Sequence, residues 1–230
     1  MSGPPDTRRE RTRRAAFGIG LALLLSAVPP TQGAMPSAPA DRLLEVERDG
    51  QRFRVSARAD MVADPLVAWH TLTDYERLPA FVPGVARTRV ISRTAGAVEE
   101  RLTVEYTGEL RLWLFSLPTQ VWLDIRHSPP AEIMAKSANG LPGAGDGPSS
   151  SLRSFEGRYM LSTLGAGAAG AQRVRLDYSA RFELAQPLPP IVGALFGAGA
   201  VRYALREQFD AMVAEIERRS RARVPAQVGR

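Results

Sequence analysis

The chain has no cysteine, two histidines and a single lysine among its 230 residues. The first absence excludes disulfide frameworks, Cys-ligated zinc, iron–sulfur clusters, thiol nucleophiles and a lipid-modified N-terminal cysteine. His70 and His127 are too few for a two- or three-His zinc centre with its supporting shell, so no metal is expected. With Lys136 the only lysine, the basic character comes from arginine. Five arginines against Asp6 and Glu10 lie in residues 1–40, so half of the net +6 belongs to that segment. The other half is spread along the body, with no basic run beside stacking aromatics, and nucleic acid is therefore not an expected partner. No glycine-rich phosphate loop stands in a βαβ setting, so no cofactor is implied. No Gly-x-Ser-x-Gly elbow is present, and Ser149–Ser151 has no base at fixed spacing.

What is present begins with an address. Arginines at 8–14 precede a charge-free run, Ala15–Val28, which Pro29 and Pro30 close. That is the layout of a secretory signal peptide, and the run is short for a span of about 20 residues. Arg13-Arg14 is similar to a twin-arginine leader, with Phe17 one place late. Ala34, or Ala38 with Ala40, offers a cleavage site; an uncleaved anchor is the alternative. Both readings place the body outside the cytoplasm, with a periplasmic location expected. The division expected is a signal peptide and linker over 1–40, a domain over 41–220 and a tail over 221–230. At 44% hydrophobic and 23% charged, the whole chain is composed as one globular domain plus extra segments.

Along the body, period-2 alternation dominates. Leu102, Val104, Tyr106, Gly108, Leu110, Leu112 and Leu114 alternate with charged and Thr residues, as a strand pair or one long bent strand. Val121, Leu123 and Ile125 do the same, as do Val174, Leu176, Tyr178, Ala180, Phe182 and Leu184. One-sided strands predict an antiparallel sheet. Weaker strands at Phe53–Ala59, Thr88–Arg93, Glu132–Ser137 and Phe155–Leu164 bring the expectation to about seven. Glu105, Glu109, Asp124, Asp177 and Glu183 fall on outward faces, which lowers the case for catalysis. Asp64-Pro65 predicts a helix start, with Leu66, Trp69 and Leu72 at helical spacing. After Pro189-Pro190, Leu205, Phe209, Met212 and Ile216 mark one stripe of a long C-terminal helix.

The segment Trp69-His70-Thr71-Leu72-Thr73-Asp74-Tyr75-Glu76-Arg77-Leu78-Pro79-Ala80-Phe81-Val82-Pro83 resembles the W-x-x-L-T-D-Y-E-x-x-P-x-F-x-P segment of START-like (SRPBCC) polyketide cyclase/dehydrase and coenzyme Q-binding proteins. The element order matches over roughly residues 48–220. The resemblance implies an α+β helix-grip fold: a curved antiparallel sheet wrapped around the C-terminal helix, with a short helix pair after the first strand. It further implies an apolar cavity holding a lipid, isoprenoid quinone or other hydrophobic molecule. Residues expected to line it are Tyr106, Leu123, Tyr159, Tyr178, Phe182, Leu195, Val201 and Leu205, the tyrosines orienting the ligand through their hydroxyls. Packing is the ordinary role for Trp69, Leu72 and Phe81, and a cap or turn for Asp74 and Tyr75. The apolar cluster around Trp113 fits either a bend in the core or transient contact with a membrane.

The reading favours a monomeric, exported, non-catalytic binding module. A cyclase/dehydrase-type enzyme in the same cavity is the alternative, marked by a carboxylate or histidine pointing inward; a protein-interaction or chaperone role is a third. No catalytic residue is singled out.

Overall fold

A computed structural model of the chain describes residues 42–96, 98–112, 115–138, 151–167, 171–186 and 197–223. The elements are β1 (Arg42–Asp49), β2 (Arg52–Val62), α1 (Pro65–Leu72), a 3-10 helix (Tyr75–Ala80), β3 (Val85–Ala95) and β4 (Glu100–Leu112). They continue as β5 (Phe115–Ser128), β6 (Glu132–Ser137), β7 (Leu152–Ala166), β8 (Gln172–Leu184) and α2 (Gly197–Arg223). The strands form one antiparallel sheet of order β1-β2-β8-β7-β6-β5-β4-β3. Each strand lies beside its sequence neighbour except at the β2–β8 junction, where the first hairpin joins the last strand.

Two sequence expectations are corrected. The described residues hold eight strands instead of about seven, and the helix pair follows the second strand, not the first. The extra strand, β1, is an edge with β2 as its sheet neighbour. Leu44 is buried, but the adjacent Leu43 is exposed, and Glu45, Glu47 and Arg48 surround them. An edge strand can carry this much charge because its neighbour covers only one side, and the alternation is blurred accordingly. The second member of the pair is a 3-10 helix containing Pro79. The strand signal over 100–114 resolves into β4 and a hairpin to β5, which starts at Phe115, six residues before Val121. Trp113 and Leu114 lie outside the described residues.

Local chemistry accounts for α1. The Asp64 side chain accepts from the Leu66 and Val67 amides at 2.8 and 3.3 Å, and Pro65 occupies the first turn, where a missing N–H costs nothing. Between α1 and β3, Gly84 adopts φ +79 and its carbonyl accepts from the Glu109 amide at 2.7 Å. A Cβ on Gly108 would sit 2.0 Å from that carbonyl oxygen, so the β3 entry can lie on β4 only because both residues are glycine.

The inner face of the sheet is apolar and packs against α1 and α2. Phe53, Ala59, Val104, Val174 and Leu176 from the sheet are at most 2% exposed, as are Val201, Val213 and Ile216 of α2. Burying each of these side chains other than Ala59 stabilises by about 1.5–3 kcal/mol. Polar contacts then set the helix in place. Arg42 reaches Asp210 and Glu217, each at 3.5 Å; Arg219 reaches Asp74 at 2.9 Å and stacks on Phe81 at 5.3 Å. Gln208 Nε2 donates to the Pro83 carbonyl at 3.1 Å, and the Asp64 amide donates to Ser220 Oγ at 3.2 Å. The helix therefore runs through Arg223, held from the first strand, the 3-10 helix and the α1 cap.

Candidate functional site

Strand register assembles the site. One cross-strand row runs over the inner face through Glu100 (β4), His127 (β5), Ile133 (β6), Tyr159 (β7), Tyr178 (β8), Ala57 (β2) and Leu44 (β1). A polar string thus crosses a surface that is otherwise aliphatic and aromatic. Tyr159 and Tyr178 are direct register partners and stack at 4.4 Å between centroids. Tyr106 stands further along β4, opposite Val121, and meets the Tyr75 ring edge-on at 6.4 Å.

The three predicted tyrosines therefore do lie on the inner face, packed against the main core, together with buried Leu123. Their hydroxyls have no hydrogen-bond partner among the described residues. Burial pushes all three phenols up, Tyr159 to about 12, and mutual repulsion with the neighbouring phenols adds to this for Tyr106 and Tyr178. They keep their protons at any ordinary pH and are free to donate them. Phe182 and Val201 instead belong to a smaller cluster with Phe53, Leu184, Ala200 and Ala204, where Phe182 stacks on Phe53 at 5.1 Å; Leu205 touches both clusters. Leu195 lies outside the described residues.

Three functional residues were missed by the sequence reading. His127, 2% exposed, is hydrogen-bonded on both ring nitrogens: Nδ1 to Glu100 Oε2 at 2.9 Å and Nε2 to the Tyr75 hydroxyl at 2.6 Å. Arg93 holds the other Glu100 oxygen at 3.4 Å. Trp69 meets the imidazole edge-on at 5.7 Å and Tyr75 stacks beside it at the same distance. Burial holds the His127 pKa below its ordinary value, against the opposing pull of Glu100, so the ring is neutral near pH 7. A carboxylate only accepts, which puts the ring proton on Nδ1 and leaves Nε2 as the acceptor of the Tyr75 O–H. Burial also raises the Tyr75 pKa.

The signal for two of these residues was available. Extending the alternation one step back from Leu102 reaches Glu100, and one step on from Ile125 reaches His127, each a polar group on an apolar face. Tyr75 carried no such mark: its role depends on the 3-10 helix folding over β5, 52 positions away in sequence.

On the outer face the predicted carboxylates are where alternation puts them. Glu105 pairs with Arg89, Asp177 with Arg58, and Glu183 with Arg52 and Arg153. Depressions of about 470 and 340 Å³ open on this side. Charged groups such as Glu47, Arg54, Arg158, Arg126 and Lys136 wall them. They are open grooves between cross-strand ion pairs, and Tyr106, Tyr159 and Tyr178 are not among the residues lining these two.

Comparison with known proteins agrees with this architecture. A family model described as polyketide cyclase / dehydrase and lipid transport matches residues 61–209. Among solved structures, the ZhuI aromatase/cyclase from Streptomyces sp. R1128 superposes with a TM-score of 0.50 at 15% identity, covering 78% of this chain and 99% of its own. TTHA0849 from Thermus thermophilus gives 0.50 at 19% identity, with 74% and 99% covered. A START superfamily protein from Mycobacterium smegmatis gives 0.46 at 17%, with 74% and 97% covered. At these identities the first two likenesses show the fold alone. None of the curated proteins matches the sequence.

Proposed function

Since the chain belongs to the polyketide cyclase / dehydrase and lipid transport family, we propose that it binds a hydrophobic small molecule between the inner face of its START-like sheet and helix α2. One observation carries this reading: Tyr106, Tyr159 and Tyr178 hold unpartnered hydroxyl protons, among the described residues, on an apolar face. The three side chains are partly buried against the core, so an apolar molecule presenting an oxygen to those protons gains both apolar burial and hydrogen bonds. A lipid, an isoprenoid quinone or a similar carbonyl-bearing molecule has that chemistry. The leader pattern adds export to the proposal, with the periplasm as destination; fractionation of the host tests it.

The test of binding is native mass spectrometry of protein purified from its own host, with organic extraction of what co-purifies. A stoichiometric hydrophobic molecule is expected. Protein that arrives empty and takes up neither added lipids nor quinones would sink the reading. A second reading, a cyclase/dehydrase-type enzyme, is favoured by the inward-facing His127 with Glu100 behind it. Incubating the extracted ligand with the protein tests this: conversion that disappears in His127→Asn supports an enzyme, and an unchanged ligand removes it.

A further inference from the structure

The four phenols at this site are not equivalent. Those of Tyr106, Tyr159 and Tyr178 have protons to give, whereas the Tyr75 proton is committed to His127 Nε2 at 2.6 Å. The commitment is enforced from behind: Glu100 accepts from Nδ1 at 2.9 Å, and Arg93 holds Glu100 in place. With Nδ1 carrying the ring proton, rotating the Tyr75 hydroxyl away from Nε2 would strand a buried acceptor, which is unfavourable. What Tyr75 Oη has left is lone-pair capacity. Among the described residues no donor reaches it. The side chain is 5% exposed, so water has little access. Its ring lies between His127, on which it stacks, and Tyr106, which it meets edge-on.

From this we infer that Tyr75 Oη is an acceptor subsite for a hydroxyl of the bound molecule, so the ligand is a hydrophobic alcohol, phenol or enol and not one whose oxygens are all acceptors. Its O–H donates to Tyr75 Oη, while any carbonyl or ether oxygen takes a proton from Tyr106, Tyr159 or Tyr178. His127 and Glu100 are positioning residues here: they touch Tyr75 and each other, and act on the ligand by fixing which way the Tyr75 proton points. The inference rests on the ligand-binding reading above and narrows its chemistry.

The experiment is a fluorescence titration of the full chain with 2-naphthol and with 2-methoxynaphthalene, which share a ring system and differ in whether the oxygen can donate. The quantity read is the ratio of the two affinities, so that the greater partitioning of the methyl ether cancels between proteins. The ratio in favour of 2-naphthol is expected to be about fivefold higher in the wild type than in Tyr75→Phe, as one hydrogen bond implies. The affinity for 2-methoxynaphthalene should be unchanged by that substitution. Glu100→Gln, at a partly exposed position, supplies a second arm. A neutral amide there can donate to Nδ1, shifting the ring proton to Nε2, which turns the Tyr75 proton outward. Either probe's oxygen can accept that proton, so the ratio should then fall to that of Tyr75→Phe while both affinities rise above those of Tyr75→Phe, a gain that loss of packing would not produce. Equal ratios in all three proteins overturn the subsite and leave ligand binding standing. Failure of the wild type to bind either probe overturns the binding reading and this inference with it.

Discussion

The two faces of the sheet both carry polar groups, but they satisfy them differently. On the outer face, charges meet one strand away: Arg58 with Asp177, Arg89 with Glu105, Arg175 with Asp60, all in register pairs of neighbouring strands. Each pair sits at the sheet surface, an exposed or partly exposed arginine against a more covered carboxylate. On the inner face, polar groups are few, and those that exist either form a directed chain, Arg93–Glu100–His127–Tyr75, or stand unpartnered among the described residues at Tyr106, Tyr159 and Tyr178. The lesson is that density of polar contacts marks a surface ladder outside, whereas scarcity and incompleteness mark the candidate site inside.

The comparison breaks most readily in the aliphatic floor that supports the inner row. Leu176→Ala, at a position with no exposure, is expected to destabilise by about 2–5 kcal/mol in urea unfolding. A loss near zero would mean that the inner face is not a packed core around the tyrosines. Next is Tyr75→Phe, which leaves buried His127 Nε2 without a donor and should cost about 1–3 kcal/mol. By contrast, Tyr178→Phe removes a hydroxyl with no partner among the described residues and should leave stability nearly unchanged while weakening ligand uptake; equal stability losses for the two would erase the distinction between the chain and the free phenols.

A pH series sharpens the same point. His127 has a depressed pKa in the fold, so the unfolded chain binds more protons below its ordinary value of 6.5, and stability falls as pH drops from there towards the folded pKa. Glu100 opposes the shift, which keeps this effect modest. Glu215 on α2, pulled down to about 2 by its hydrogen bonds with Arg218 and Arg219, loses its contribution later, between pH 4.5 and 2. Unfolding curves that stay flat from pH 7 to 5 would remove the buried, neutral histidine. The smallest effect belongs outside: Arg58→Ala should cost less than about 1 kcal/mol, because the 2.6 Å pair with Asp177 is half exposed. A larger loss, measured at low and high salt, would make the outer face more than a solvated ladder.

Much of this is legible in the sequence alone. Alternation over Leu102–Leu110, Val121–Ile125 and Val174–Leu184 assigns the sheet's two faces, because side chains in a strand point to opposite sides at every step. Asp64-Pro65 marks the start of α1 for an equally local reason, and the segment from Trp69 to Pro83 identifies the kind of fold. β1 escapes because an edge strand full of charge leaves only a faint alternation, and the second helix of the expected pair takes 3-10 form in a segment with Pro79 inside.

Local sequence, then, determined which residues face inward, since that depends only on the period of each strand and helix. It did not determine that Tyr75 would donate to His127, or that Tyr159 would stack on Tyr178. Those contacts join residues 52 and 19 positions apart. They exist because the registers of β4 through β8 bring one rung of the ladder into line, and because the 3-10 helix is folded over β5. Register and docking are set by the summed packing of the whole inner face, which no single stretch of sequence contains.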